Sequence, residues 1–267
     1  MSLIGVFDSG VGGLTVLKEL ATHFPQENFL YLGDTARVPY GTKSPETIRR
    51  YSEQILNELT SRKVDALVVA CGTASSQVSE KSWQGLPVFT VIEPGAATAV
   101  AKSANGRIGV LGTRATIASQ AYLKELKKIS PDTFVVSQSC PLFVPLAEEG
   151  WLDDPITNLI AYRYVQPLLQ SEIDTLILGC THYPLLKSAI QKAIGSGVEL
   201  VDSGQALALE LEKAFASGAL QRAAGDGVGE IHVLATDLSL HTQDLAAQIL
   251  DPLRVSSFEV IQLLSDK

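Results

Sequence analysis

The chain has 267 residues, enough for one large α/β domain or two smaller ones. Hydrophobic residues make up 46% and charged residues 19%, which gives a sizeable core and excludes a disordered chain. The formal net charge of −8, with no run of Lys or Arg, argues against nucleic acid as a partner, because a phosphate backbone needs a basic patch.

Met1-Ser2-Leu3-Ile4-Gly5 leads straight into a strand-like run. No basic segment precedes an apolar one there, and no apolar stretch is long enough to span a bilayer, so a soluble, cytoplasmic protein without membrane contact is expected. Predicted strands cover residues 4–7, 28–32, 66–70, 88–91, 108–111, 133–137, 175–178, 199–201 and 230–234. Predicted helices lie between them, among them 13–23, 45–62, 117–129, 155–169 and 185–193. The alternation reads as α/β with mainly parallel strands, and the unbroken apolar run of residues 66–70 reads as a strand buried on both faces. Lys124, Lys127 and Lys128 fall at helical spacing and read as a solvated face. Residues 218–229 are Gly-rich and read as a loop. No Pro-rich or Ser-rich linker divides the chain, so Glu93-Pro94-Gly95 is expected to be a tight hinge.

A weak internal repeat organises these elements. Ile4-Gly5-Val6-Phe7-Asp8-Ser9 resembles Ile108-Gly109-Val110-Leu111-Gly112-Thr113, at an offset of 104. Residues 64–71 resemble residues 173–180, at an offset of 109, and each of these runs ends in a cysteine. Two similar halves follow, each placing a cysteine at the carboxyl end of a strand, where ligands bind in open α/β sheets. The competing reading is that buried strands look alike by composition.

Several turns are polar enough to carry chemistry. Asp8-Ser9-Gly10-Val11-Gly12-Gly13 suggests a dinucleotide loop, but a G-x-G-x-x-G pattern needs Gly where Thr15 stands, and Asp8 would repel a pyrophosphate. Its glycines still suit a substrate carboxylate at a helix N-terminus, or a purely structural turn. Residues 33–41, with Tyr40 and Gly41, form a long turn that caps a pocket or is an ordinary loop. Thr113 and Thr116 offer two hydroxyls, and Thr116 reads equally well as a helix cap.

Three cysteines do not make a disulfide framework. Cys71 and Cys180 hold matching places in the repeat, whereas Cys140 has no repeat partner and is expected to be structural. A metal site fails on ligand count, since there is no C-x-x-C and His23, His182, His232 and His241 are scattered. No lysine stands in a setting that suggests a pyridoxal phosphate Schiff base. Two thiols do suit inversion of an α-carbon, with a thiolate as base on one face and a thiol as acid on the other. Asp8 and His182 are candidates to relay protons to them, and His182 reads equally well as a structural histidine.

The ordered motifs resemble those of the glutamate racemase family, within the aspartate/glutamate racemases. They are residues 5–14, Pro39-Tyr40-Gly41, Ala70-Cys71 with Thr73-Ala74-Ser75, Glu148-Glu149-Gly150, residues 179–184 and Thr236-Asp237. The resemblance implies two pseudo-symmetric three-layer α/β domains with mainly parallel sheets and the active site between them. The first domain would take residues 1–94 plus 207–267 and the second residues 95–206. It implies cofactor-independent racemisation of glutamate, supplying D-glutamate for peptidoglycan, with no metal and no cofactor. Cys71 would take the α-proton of D-glutamate and Cys180 that of L-glutamate, assisted by Asp8, His182 and Glu148. Ser9, Tyr40, Gly41, Gly72, Thr73, Thr113, Thr116 and Thr181 would contact or enclose the substrate. A homodimer is implied, and gyrase is raised as a partner for which no sequence feature speaks. One departure stands out: the family usually has Asn after the first cysteine, and this chain has Gly72. Gly72 is expected to leave extra room and to weaken substrate binding or favour aspartate or another acidic amino acid. A non-catalytic amino-acid-binding or regulatory relative is the remaining alternative.

Overall fold

The structure is a computed structural model, and it describes residues 2–223 and 227–263. In chain order the elements are β1 (Leu3–Asp8), α1 (Leu14–His23), β2 (Asn28–Gly33), α2 (Pro45–Ser61), β3 (Ala66–Val69), α3 (Gly72–Ser75), β4 (Ser82–Trp83), β5 (Leu86–Thr90) and α4 (Ile92–Lys102). There follow β6 (Arg107–Gly112), α5 (Arg114–Ser119), α6 (Ala121–Ile129), β7 (Phe134–Ser139), α7 (Phe143–Glu148), α8 (Pro155–Leu169), β8 (Thr175–Leu178) and α9 (Lys187–Ile194). The chain closes with β9 (Glu199–Asp202), α10 (Ser203–Ala216), β10 (Ile231–Ala235), α11 (Leu240–Leu250) and β11 (Ser257–Val260).

The strands make two sheets, ordered β11-β10-β2-β1-β3-β5-β4 and β7-β6-β8-β9. Every pairing is parallel except the short β4–β5 hairpin. Side chains alternate across a strand, so each sheet feeds two cores. Ile4 and Val6 pack under α1 and α10, while Phe7 packs on the opposite face with Ile48, Ile55 and Leu59 of α2. Ile108 and Val110 pack with α4 and α6, while Leu111 packs opposite with α8 and α9. Both sheets are therefore covered by helices on two faces, which gives three layers each.

The repeat extends to hydrogen-bond register. In the first sheet Ile4, Gly5, Val6 and Phe7 stand beside Ala66, Leu67, Val68 and Val69. In the second, Ile108, Gly109, Val110 and Leu111 stand beside Thr175, Leu176, Ile177 and Leu178. These are the residues that the offsets of 104 and 109 equate. Flanking order agrees too, with β2-β1-β3-β5 matching β7-β6-β8-β9.

Helix starts are fixed by side-chain caps, two of which, Thr113 and Asp202, stand at strand ends. Thr113 caps α5, Asp202 caps α10, and Ser44 and Asp154 each cap a helix whose first residue is proline. This draws the polar turns to the carboxyl edges of the sheets.

Two expectations need correction. The predicted helix over 117–129 is broken: Gln120 adopts φ +56 and separates α5 from α6. The apolar period continues through the break, so periodicity alone does not show it. Glu93-Pro94-Gly95 is not a hinge turn but lies in the first turns of α4, where a proline is tolerated. α4 and α10 are the two crossings between the sheets, and they pack against each other. Within the expected loop over 218–229, residues 224–226 lie outside the described residues. The late strand runs one residue further along than expected, and β11 beside it was not expected.

Gln120 makes a local test. A left-handed conformation costs a non-glycine residue about 1–2 kcal/mol, and glycine roughly 0.5–1 kcal/mol in lost chain entropy. Gln120→Gly should leave stability unchanged or raise it by up to about 1 kcal/mol, whereas Gln120→Val should lower it by about 1–2 kcal/mol. Urea denaturation of the two variants checks the order.

Candidate active site

The carboxyl ends of the two sheets face each other across a cleft of about 320 Å³. Ser9, Tyr40, Gly41, Cys71, Gly72, Thr73, Thr113, Glu148, Cys180, Thr181 and His182 line it, as do Val38, Pro39, Thr42, Arg114, Pro141, Val144 and Pro145. Every residue expected at the site is thus brought to it except Asp8 and Thr116, which lie just beneath. Cys140 is fully buried in the core of the second half, and its Sγ donates only to the Gln138 carbonyl.

The turn after β1 is built around Asp8. Asp8 is 0% exposed; its Oδ2 accepts from the Gly10 amide at 2.8 Å and its Oδ1 from Thr181 Oγ1 at 3.2 Å. The second bond crosses between the halves. Burial raises the Asp8 carboxyl above its usual range, opposed by the His182 charge. Gly12 and Gly13 are required here: a Cβ on Gly13 would lie 2.3 Å from the Asp8 Cβ, and one on Gly12 would lie 2.4 Å from the His182 ring. The glycines therefore serve close packing on Asp8 and His182. Thr15, where a nucleotide loop would need glycine, donates to the Thr181 carbonyl at 2.8 Å.

Cys71 ends the β3 segment and caps the short α3. Its Sγ accepts from the Ala74 amide at 3.4 Å and donates to Ser9 Oγ at 3.4 Å. Burial pushes the Cys71 thiol up to about 12, and the Asp8 carboxylate and Cys180 push the same way. Cys180 occupies the matching place after β8, with His182 Nδ1 3.9 Å from its Sγ. His182 Nε2 in turn meets Glu148 Oε1 at 3.0 Å. Burial disfavours the charged imidazole, yet its bonds to Cys180 and Glu148 outweigh burial and push His182 up to about 10. The two thiols so have different surroundings, a carboxylate behind one and an imidazole–carboxylate pair behind the other.

Three hydroxyls link the halves: Thr73 Oγ1 lies 2.9 Å from Thr113 Oγ1 and 3.3 Å from Thr116 Oγ1, and Thr113 and Thr116 are 2.9 Å apart. The cap expected of Thr116 falls on Thr113 instead, whose Oγ1 accepts from the Thr116 amide at the start of α5.

The extra room expected at Gly72 is absent. A Cβ there would lie 2.4 Å from the Gly179 carbonyl oxygen and 4.0 Å from the Cys180 Cα. The two cysteine turns pack closely at this point, and in this chain no open space is left beside Gly72.

Asp34 was not singled out in the sequence. It is fully buried, and its carboxylate accepts from Arg37 Nε at 2.7 Å, from Thr236 Oγ1 at 3.0 Å and from the Tyr40 hydroxyl. It holds the 34–42 turn over the cleft. An aspartate directly after a strand, three residues before an arginine, was the available signal.

Two cysteines, one from each half, with Asp8 near one and a His182–Glu148 pair beside the other, furnish this cleft with the groups that acid–base chemistry uses. Residues 5–211 match the family described as Asp/Glu/hydantoin racemase. A glutamate racemase of Geobacter metallireducens is 52% identical over 237 residues, covering 88% of this chain and 87% of that protein. A glutamate racemase isoform from Bacillus anthracis superposes with a TM-score of 0.92 at 34% identity, covering 98% of both chains. A glutamate racemase from Francisella tularensis, solved in complex with D-glutamate, superposes with a TM-score of 0.91 at 34% identity and the same coverage. The chain belongs to the Asp/Glu/hydantoin racemase family.

The contact at Gly72 can be tested directly. Gly72→Ala forces the two cysteine turns apart, and a displacement near 1 Å costs on the order of 100-fold in rate. Turnover should fall by about that factor while the melting temperature drops only a few degrees. A racemisation assay beside a thermal melt reads both; wild-type turnover in Gly72→Ala would show that the approach of the turns is unimportant.

Proposed function

We infer that the protein interconverts L- and D-glutamate by moving the α-proton between Cys71 and Cys180. The observation that carries this reading is the pair of cysteines placed by the same strand-end position in each half, across one cleft. A thiolate on one wall takes the proton from Cα, and the thiol on the other wall returns a proton to the opposite face. Each turnover leaves the proton on the other sulfur, so the pair must be reset. His182, held by Glu148, serves Cys180, and Asp8, buried under the turn that carries Ser9, serves the Cys71 side. Removing a proton from Cα puts negative charge on the substrate carboxylate, which donors already in place can stabilise. Ser9, Thr73, Thr113 and Thr181 supply those donors, Gly72 its backbone, and Tyr40 and Gly41 enclose the side chain, with Thr116 behind Thr73.

In this reading residues 1–94 plus 207–267 and residues 95–206 act as two units joined through α4 and α10. D-glutamate would serve peptidoglycan synthesis in the cytoplasm, and the protein would act as a homodimer. Among the described residues, no helix is long and apolar enough to cross a membrane. With no added space at Gly72, the motive for preferring a different acidic amino acid is weakened; comparing kcat/KM on glutamate and aspartate separates the two.

Cys71→Ser and Cys180→Ser should each lower racemisation in both directions by about a thousandfold or more. Circular dichroism follows the turnover, and deuterium uptake from solvent at Cα of either enantiomer follows the exchange. Near-wild-type turnover in either variant would sink the two-thiol mechanism, and absence of any exchange in the wild type would favour a binding-only protein.

Glu148→Gln tests the relay through pH. The carboxylate raises the His182 pKa, so removing it lowers that pKa. A step that needs the imidazolium is lost as pH rises through this value. The alkaline limb of kcat should therefore move to lower pH in Glu148→Gln, and an unmoved limb would remove His182 from the relay.

A further inference from the structure

Glu148 holds His182 from the open end of a short helix. It is the last residue of α7, its side chain is 36% exposed, and residues 149–153 after it are all exposed. The other end of α7 is fixed by packing: Phe143 is fully buried and meets the Tyr183 and Tyr164 rings edge to face, with centroids 5.2 and 5.1 Å away. At the carboxyl end the Pro145, Leu146 and Ala147 carbonyls accept from the amides of Glu149, Trp151 and Gly150, so the turn closes on itself. The Glu148 carbonyl is met from outside. His241 Nε2 lies 2.9 Å from it, and because a carbonyl only accepts, Nε2 carries the proton and donates.

His241 belongs to the other half. It stands in the first turn of α11, whose start is already capped by Ser239 Oγ accepting from the Thr242 amide at 3.1 Å. The helix is held by Leu245, Ala246, Ile249 and Leu250, which are buried in one core with α1. A donor on a well-packed helix of the first half therefore sets the place of a residue of the second. That residue's carboxylate lies 3.0 Å from His182 Nε2, and His182 Nδ1 lies 3.9 Å from Cys180 Sγ. Leu185, three residues after His182, packs against the cores of both halves, so the imidazole and its carboxylate are placed against the same first-half surface. The titratable groups that face His182 are Cys180, Glu148 and, from the first half, Asp8. A Glu148 carboxylate that drifts away withdraws one of the charges that favour the imidazolium.

We propose that His241 is a positioning residue that fixes the end of α7 from the opposite half and so holds the Glu148 carboxylate on His182. The proposal rests on the racemase reading above and extends its relay by a residue outside the cleft lining. The test compares wild type with His241→Leu, which removes the donor at an exposed site, and with His241→Gln, whose amide nitrogen can donate in place of Nε2. In His241→Leu kcat should fall about three- to tenfold, the worth of one hydrogen bond, with KM within about twofold of wild type. The alkaline limb of kcat should move to lower pH, because the step needs the imidazolium and its pKa has dropped. His241→Gln should keep kcat within about twofold of wild type. In a Glu148→Ala background, where no carboxylate is left to place, His241→Leu should cost less than about twofold more. The melting temperature of His241→Leu should fall by no more than about 2 °C.

Wild-type kcat with an unmoved alkaline limb in His241→Leu overturns the proposal. So does a loss confined to KM, a His241→Gln variant as slow as His241→Leu, or a full additional loss in the Glu148→Ala background. NMR titration of the His182 imidazole reads the same coupling without turnover: its pKa should be lower in His241→Leu than in wild type, and an unchanged pKa overturns the proposal. A lowered pKa in a protein whose wild type does not racemise glutamate overturns the racemase reading and leaves this contact standing.

Discussion

The site depends on one backbone contact, that of Gly72 on the Gly179 carbonyl. Each of these residues neighbours a cysteine, and each cysteine belongs to a different sheet. The turns that carry the two thiols therefore meet at this point. Around this contact lie further bonds between the halves: Thr181 to Asp8, Thr15 to the Thr181 carbonyl, and Thr73 to Thr113. Several of them arise directly from residues that also line or underlie the cleft. Holding the halves together and shaping the site are therefore largely the same task. A residue that enlarges one turn changes the distance between acid and base before it changes anything else.

The repeat gives the two halves one backbone and different side chains. Its offsets equate Asp8 with Gly112 and Ser9 with Thr113 around the first strands, and Gly72 with Thr181 and Thr73 with His182 after the cysteines. Asp8 and His182 thus have no counterpart in the other half. The environment of each thiol is asymmetric for that reason: Cys71 is held up by burial and the nearby Asp8 carboxylate, while Cys180 faces an imidazole backed by Glu148. The asymmetry cannot bias the final balance of enantiomers, which are equal in free energy. It can only set which protonation state waits for which enantiomer, and so how KM and kcat divide between the directions.

The sequence made legible what strand composition and local motifs encode. The two cysteines, the turn at Asp8 and the α/β alternation all follow from period, repeat and the polarity of strand ends. The helix break at Gln120 did not, because an isolated left-handed residue leaves the apolar period of 117–129 intact. Short strands such as β4 and β11 were missed because two to four residues carry too little pattern. The role of Asp34 was hidden for a different reason: its partner Thr236 is some two hundred residues away, and only the pairing of β10 with β2 brings them together. Gly72 was read with the wrong sign. A missing side chain suggests space, but whether space results depends on what the fold brings to that position, and here it brings a carbonyl oxygen.

That reversal has a consequence for how the cleft recognises its substrate. A side-chain amide after the first cysteine would have been one polar group close to the reacting carbon. With glycine there, the uncharged polar groups that line the cleft beside the thiols are hydroxyls and backbone. Neutral donors suit the α-carboxylate because they stabilise charge that grows during proton removal without fixing the resting state too tightly. Discrimination of the side chain is a separate requirement, since every amino acid carries the same α-substituents.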